Sequence, residues 1–314
     1  MSGGVASPAT SKDGGSAASL ILITGANGLV GSRLVARLAQ SHRILAVGRG
    51  PQRFPEPGVE YAELDLLFPD SLRELIERTS PQGVIHAAAM TDVDGCEREP
   101  EAAWRLNVRA TEAAALGART AGAHLVALST DYVFDGEAGP YDEAAAPNPR
   151  GVYATSKYAG EQAALRLAPG SAIARVAVIY SGRKGAKRTF ALGVAESLAK
   201  GAQVKAFSDQ LVSPTLADNA AELVAGVYLS GEAGVFHCAG ASAVTRVEFC
   251  RALARKLGAD EDLVVPTLLA ELKLPAPRPL RCALRVEKVQ KLLGRDAPLP
   301  LDLALDRFLA ERRA

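Results

Sequence analysis

Cysteine, tryptophan and excess charge are what this sequence has least of. Lys and Arg number 36 against 35 Asp and Glu, so the net charge is +1 and no bulk field recruits nucleic acid or an anionic membrane. The four cysteines, Cys96, Cys238, Cys250 and Cys282, form neither a C-x-x-C redox pair nor a zinc-ligand spacing. They read as small buried residues of a reducing compartment, and no metal site is expected. No run of eighteen apolar residues occurs, so no membrane span is expected. Residues 1–18, MSGGVASPATSKDGGSAA, lack the apolar core of a secretory signal and carry no Arg, which a transit peptide would have in number. They read as a disordered extension, and the protein as cytoplasmic.

With 48% hydrophobic and 23% charged residues, the chain can bury one large core or two smaller ones. Short apolar runs alternate with helix-like segments. LILI (20–23), RILAV (43–47), VEYAEL (59–64), GVIHAA (83–88), HLVALS (124–129) and AIARVAVI (172–179) read as strands. Helices are expected over about 29–39, 70–78 and 101–120, and from near Tyr153. Strands apolar on both faces, alternating with helices, argue an α/β fold with a parallel, doubly wound sheet of Rossmann type. After about residue 180 the rhythm changes and helices dominate. The expected division is a nucleotide-binding domain over 19–180, rejoined by 216–240. A smaller, mainly helical substrate lobe is expected over 181–215 and 241–314.

TGANGLVG (24–31) lies between the first strand and the first helix. Gly25 permits a tight turn, Gly28 lets the backbone approach a diphosphate, and Gly31 lets the helix pack on the sheet. With Asn27, Leu29 and Val30, these residues form a candidate dinucleotide loop, with the diphosphate on the helix N-terminus. An NAD site expects an acid about 20 residues on. AVGRG (46–50) offers none, whereas Arg49 can pair with a 2′-phosphate, so NADP(H) is preferred and NAD(H) remains possible. A solvated loop arginine is the alternative. Asp65 could accept from an adenine amino group, next to Leu66, or cap a helix. In GVYATSKYAGE (151–161), Tyr153 and Lys157 are four apart and share a helix face. An ammonium there is expected to lower the phenol pKa from near 10, making Tyr153 a usable acid or base.

TGANGLVG, HAAAMTDVDGCE (86–97), STDYVFDG (129–136), the Tyr153/Lys157 pair and DQLVSPT (209–215) together resemble the extended short-chain dehydrogenase/reductases. Within them the chain is similar to the dTDP-4-dehydrorhamnose reductase family, over nearly all residues after 19. The resemblance implies an NAD(P)H-dependent reductase of a keto sugar, of the class of nucleotide-linked 4-keto-6-deoxy sugars. It implies that Thr130 bonds the substrate carbonyl, Tyr153 donates the proton, and Lys157 tunes Tyr153 and holds the nicotinamide ribose. It places Ala87, Ala88, Ala89, Asn107 and Ser129 at the cofactor, and Thr91, Tyr132, Val178 and Gln210 at the substrate. Val178 stands where the family carries a tryptophan, and Val212 where it usually has glycine; the latter implies a different loop shape.

The other expectations are structural. His86, His124 and His237 read as core or strand-edge residues and Trp104 as helix core. The basic run GRKGAKR (182–188) reads either as a solvated loop or as a diphosphate contact. Two alternatives accompany the reductase. One is an epimerase or dehydratase that retains NAD. The other is a cofactor-binding regulatory subunit resembling the β subunit of methionine adenosyltransferase. The partner expected is the small-molecule substrate, with a homodimer left open.

Overall fold

The apolar runs become strands because both of their faces are covered, and the amphipathic segments between them supply the cover. The computed structural model describes residues 19–184 and 187–313. The expected extension 1–18 lies outside the described residues, as do Gly185 and Ala186 of the basic run. β1 (Leu20–Thr24), α1 (Gly31–Leu38), β2 (Arg43–Gly48), β3 (Glu60–Glu63), α2 (Asp70–Thr79) and β4 (Gly83–His86) come first. They are followed by α3 (Val93–Arg98), α4 (Pro100–Trp104), a π-turn over Arg105–Arg109, and α5 (Ala110–Ala121). β5 (His124–Thr130), α6 (Gly151–Leu167) and β6 (Ala172–Val176) complete this run.

The later segment holds β7 (Ile179–Tyr180), α7 (Phe190–Ala199), β8 (Val204–Phe207), β9 (Leu211–Val212), β10 (Thr215–Leu216) and α8 (Ala217–Ser230). β11 (Gly234–His237), β12 (Val244–Thr245), α9 (Arg246–Leu257), β13 (Val264–Thr267), α10 (Glu287–Leu293) and α11 (Leu301–Arg313) follow. The central sheet runs β11-β6-β5-β4-β1-β2-β3, with every pair parallel. This is the doubly wound sheet expected. Its strand order reverses between β1 and β4, and a ligand crevice lies outside the carboxyl ends at such a switch point.

One hydrophobic cluster holds Ile21, Leu34 and Val126 and also takes in Val224 of α8, Phe236 of β11 and Val289 of α10. Another gathers Val194, Leu253 and Phe308 about Tyr180, whose ring meets Phe249 and Phe308 edge-on at 5.3 and 5.6 Å. A fully buried Leu or Ile in either contributes about 1.5–3 kcal/mol.

Two elements differ from their sequence reading. The helix expected over 101–120 is interrupted by the π-turn, a local widening that composition does not announce. Trp104, expected in the core, is 41% exposed. The strand expected over 172–179 stops at Val176, and Val178 takes a φ of 41°, a left-handed conformation unusual for a β-branched residue. β7 then pairs with β10 instead of with the main sheet. Val212 lies in extended backbone of β9, paired antiparallel with β12, and is fully buried.

Candidate active site

The first turn of α1 has no side-chain cap, since Val30 precedes it. The Ser32 and Arg33 amides bond to the Gly28 and Val30 carbonyls at 3.1 Å, and those of Leu29, Val30 and Gly31, without such a bond among the described residues, suit an anion. Gly25 has a φ of 69°, and a Cβ there would lie 2.8 Å from backbone atoms of Ala87 and Ala88. A Cβ on Gly31 would come within 2.1 Å of the Gly25 carbonyl oxygen, so helix and loop can meet only with glycine there. Gly28 sits exposed at the tip, its N–H donating to the Gly25 carbonyl at 2.8 Å, with Leu29 half-buried beside it. Thr24 joins this loop to β4: its hydroxyl lies 2.9 Å from His86 Nδ1 and accepts from the Ala88 N–H at 3.2 Å. Burial, helped by the Lys157 charge, pulls His86 down to about 3, so it stays neutral, a packing residue as expected.

Asn27, expected at the cofactor, spends its side chain on the loop after β2. Its side-chain amide donates to the carbonyls of Arg49 and Pro51, both at 3.1 Å, and accepts from the Arg53 N–H at 2.9 Å. A short amide opposite three backbone groups of the β2 loop is consumed by them. Tyr61 adds a bond to the Gly50 carbonyl at 2.6 Å. The staples fix the loop that presents Arg49, which is exposed and forms no ion pair among the described residues. Asp65 accepts from the Leu67 N–H at 3.0 Å, closing a turn ahead of α2. The Leu66 side chain is buried in the core, which leaves only its backbone to face the crevice.

α6 brings Tyr153 and Lys157 to the carboxyl end of β5. Its start is anchored by Glu97, which accepts from the Val152 N–H at 2.7 Å. The rings of Tyr153 and Tyr132 meet edge-on at 5.8 Å. Lys157 Nζ donates to the Leu128 carbonyl at 2.7 Å. Thr130 donates to Asp131 Oδ1 at 3.0 Å and accepts from the Tyr132 N–H at 3.2 Å. The expectation that Lys157 lowers the Tyr153 pKa is not met. Burial raises the phenol well above its usual 10, and a hydrogen bond with Thr130 offsets only part of that. The same burial pulls Lys157 down to about 8 against the opposing field of Glu161.

The π-turn supplies Asn107, whose amide donates to the Met90 carbonyl at 3.2 Å and to Ser156 Oγ at 3.0 Å. It also accepts from the Met90 N–H at 2.9 Å. Ser156 in turn donates to the Tyr153 carbonyl at 2.9 Å. Asn107 thus clamps the segment carrying Ala88, Ala89 and exposed Thr91 to α6. Ser129 is buried, its hydroxyl without a partner among the described residues. Glu161 forms a bidentate pair with Arg175 of β6, at 2.9 and 2.8 Å, with both side chains buried.

Gln210, expected at the substrate, is 2% exposed, donates to the Pro279 carbonyl at 3.2 Å and accepts from Arg246 Nε at 3.1 Å. Val178 is half-buried at the β6–β7 break, its carbonyl accepting from the Thr215 N–H at 3.2 Å. Within the basic run, Arg183 stacks 4.4 Å over the Phe54 ring, and Arg188 pairs with Glu196 at 2.6 Å. The sequence reading missed Thr24, Glu97, Asp131, Arg246 and Cys282. Asp131 is buried next to Thr130, and Cys282 donates to its Oδ2 at 3.2 Å. Burial raises Asp131 to about 6, while the bonds from Cys282 and Thr130 oppose the rise. Its place in STDYVFDG was the available signal; Cys282, 151 residues away, offered none. Among the described residues, no group of three His, Cys, Asp or Glu side chains could hold a metal ion, and no helix is long and apolar enough to cross a membrane.

Known proteins share this architecture. A probable low-salt glycan biosynthesis reductase of Haloferax volcanii is 36% identical over 287 residues, 90% of this chain and 95% of that protein. A dTDP-4-dehydrorhamnose reductase of Mycobacterium tuberculosis is 35% identical over 265 residues, 82% of each chain. The structure of dTDP-4-dehydrorhamnose reductase from Bacillus anthracis in complex with NADP matches with a TM-score of 0.82 at 25% identity, covering 94% of this chain and 99% of that one. The family model described as the RmlD substrate binding domain matches residues 19–313, and the chain belongs to that family.

Proposed function

We propose that this protein is an NADPH-preferring reductase of a nucleotide-linked 4-keto-6-deoxy sugar. One observation carries the reading: Tyr153, held protonated by burial, stands with Thr130, Lys157 and Tyr132 at the carboxyl end of β5. The uncapped start of α1 lies across the same end of the sheet. The reductases among the relatives support it.

The residues present fit a dinucleotide. Gly25 and Gly31 leave the loop without Cβ atoms where it meets β4 and α1. Leu29 and Val30, beside Gly28, would hold the diphosphate on their amides, Arg49 a 2′-phosphate, Ala87–Ala89 the cofactor's flank, and Lys157 the nicotinamide ribose. Bound there, the nicotinamide supplies a hydride to the keto carbon. Tyr153 gives its phenolic proton to the oxygen of that carbon as negative charge builds on it. The phenolate left behind regains a proton from water. Tyr132 packs beside Tyr153 and bounds the sugar site. The two hydrophobic clusters would correspond to a nucleotide-binding lobe and a substrate lobe. Four buried free cysteines agree with a reducing compartment such as the cytoplasm.

The test is NADPH consumption by the purified protein with a nucleotide-linked 4-keto-6-deoxy sugar, compared with NADH. Turnover that depends on the sugar and favours NADPH is expected. A protein that binds NADPH, reduces no such sugar and co-purifies with a partner enzyme at fixed stoichiometry would instead be a regulatory subunit.

A further inference from the structure

Three deeply placed arginines each meet a carboxylate: Arg33 meets Glu311 at 3.2 Å, Arg175 meets Glu161 at 2.8 Å, and Arg278 meets Asp94 at 2.9 Å. Arg246, on the first turn of α9, is half-buried and forms no ion pair among the described residues. Its direction is nevertheless set from two sides. Nε donates to Gln210 Oε1 at 3.1 Å, and the guanidinium carbon stands 4.9 Å over the Phe190 ring. Gln210 is itself fixed by the Pro279 carbonyl at 3.2 Å.

The guanidinium acts electrostatically on Asp131, Tyr132, Cys282 and Cys250, and Arg278 acts on Tyr132 as well. Tyr132 packs on Tyr153. Gln210 precedes Leu211, whose carbonyl accepts from the Cys282 N–H at 3.1 Å, and Cys282 Sγ donates to Asp131 Oδ2 at 3.2 Å, next to Thr130, so the segment that holds Arg246 also borders the site. A partly desolvated guanidinium without a carboxylate costs free energy, and an arriving anion relieves that cost. A fork of N–H groups suits the paired oxygens of a phosphate.

We infer that Arg246 receives the diphosphate of the nucleotide-linked substrate, and that Gln210 and Phe190 are its positioning residues. This rests on the reductase reading for the sugar's place at Tyr153. Gln210 then acts through Arg246 and does not touch the sugar. A sugar whose keto carbon lies at Tyr153 puts its anomeric phosphate about one sugar ring away, toward Tyr132 and Arg246.

The test is calorimetric titration of the NADPH-loaded protein with thymidine diphosphate, alongside steady-state kinetics. Arg246→Ala should weaken the diphosphate by about tenfold or more and raise KM to match, with kcat within about threefold. Arg246→Lys should recover part of the loss. Gln210→Leu should weaken binding by a smaller factor and add little on top of Arg246→Ala, because both remove the same contact. NADPH affinity should be unchanged throughout. Wild-type diphosphate affinity in Arg246→Ala would overturn the inference and leave the reductase reading standing. Diphosphate binding through Arg246 with no reduction of any keto sugar nucleotide would do the reverse.

Discussion

Thr130 donates its hydroxyl to Asp131 Oδ1, 3.0 Å away, and its hydrogen bond with Tyr153 offsets part of the rise that burial imposes on the phenol. The ionised carboxylate holds that hydroxyl in one orientation beside Tyr153, and a protonated one frees it. Asp131 sets which state holds. Its second oxygen is occupied by Cys282 at 3.2 Å, so the carboxylate cannot swing away.

Asp131 is raised to about 6 by burial, with the bonds from Cys282 and Thr130 opposing. Above that pH it is ionised and keeps the Thr130 proton; below it, the proton acceptor is lost. We expect kcat/KM to fall on the acid side with an apparent pKa near 6, and this limb to disappear in Asp131→Asn, whose kcat should drop by about ten- to a hundredfold. An unchanged acid limb in the variant would assign it to another group.

Lys157 is pulled to about 8 by burial, against Glu161. Its ammonium is fully present below that value and lost above it. Activity should therefore decline on the basic side near pH 8. Lys157→Met should abolish that limb and lower kcat by about a hundredfold, since it removes the ammonium that would hold the nicotinamide ribose. A pH–rate profile of both proteins checks this.

Arg49 is exposed at the end of β2, with its loop stapled by Asn27 and Tyr61. Arg49→Ala should weaken NADPH by about tenfold and leave NADH nearly unchanged, because only the 2′-phosphate contact is lost. Fluorescence titration with each dinucleotide separates the two.

Glu161 and Arg175 form a buried bidentate pair. Glu161→Gln leaves a buried guanidinium without its counter-charge and should lower unfolding stability by about 3–5 kcal/mol. Glu161→Gln with Arg175→Met should recover much of that loss. Denaturant unfolding of the single and double variants measures it.

Legibility in the sequence followed the physics of each feature. LILI, RILAV and GVIHAA were readable as strands because parallel strands covered on both faces are continuously apolar. The glycine loop and the Tyr153/Lys157 pair were readable because each is set by local spacing. The π-turn was not, because it inserts one residue into a helix without disturbing composition. Nor was the break at Val178, where AIARVAVI stays apolar while the backbone turns to a φ of 41°. The Tyr153 pKa went the wrong way because helix spacing reports neighbours and says nothing of burial. Asn27, expected at the cofactor, and Gln210, expected at the substrate, each hold a partner within the protein. Their partners, in the β2 loop and on α9, come together only through tertiary packing.

The central claim is that the buried Tyr153 phenol is the proton donor for a keto sugar. Single-turnover reduction of a nucleotide-linked 4-keto-6-deoxy sugar by the NADPH-loaded protein tests it most directly, comparing wild type with Tyr153→Phe. The phenyl ring preserves the packing on Tyr132 and removes only the proton. The rate should fall by about 10²–10⁴-fold with NADPH affinity intact. A Tyr153→Phe rate equal to that of the wild type would contradict the mechanism.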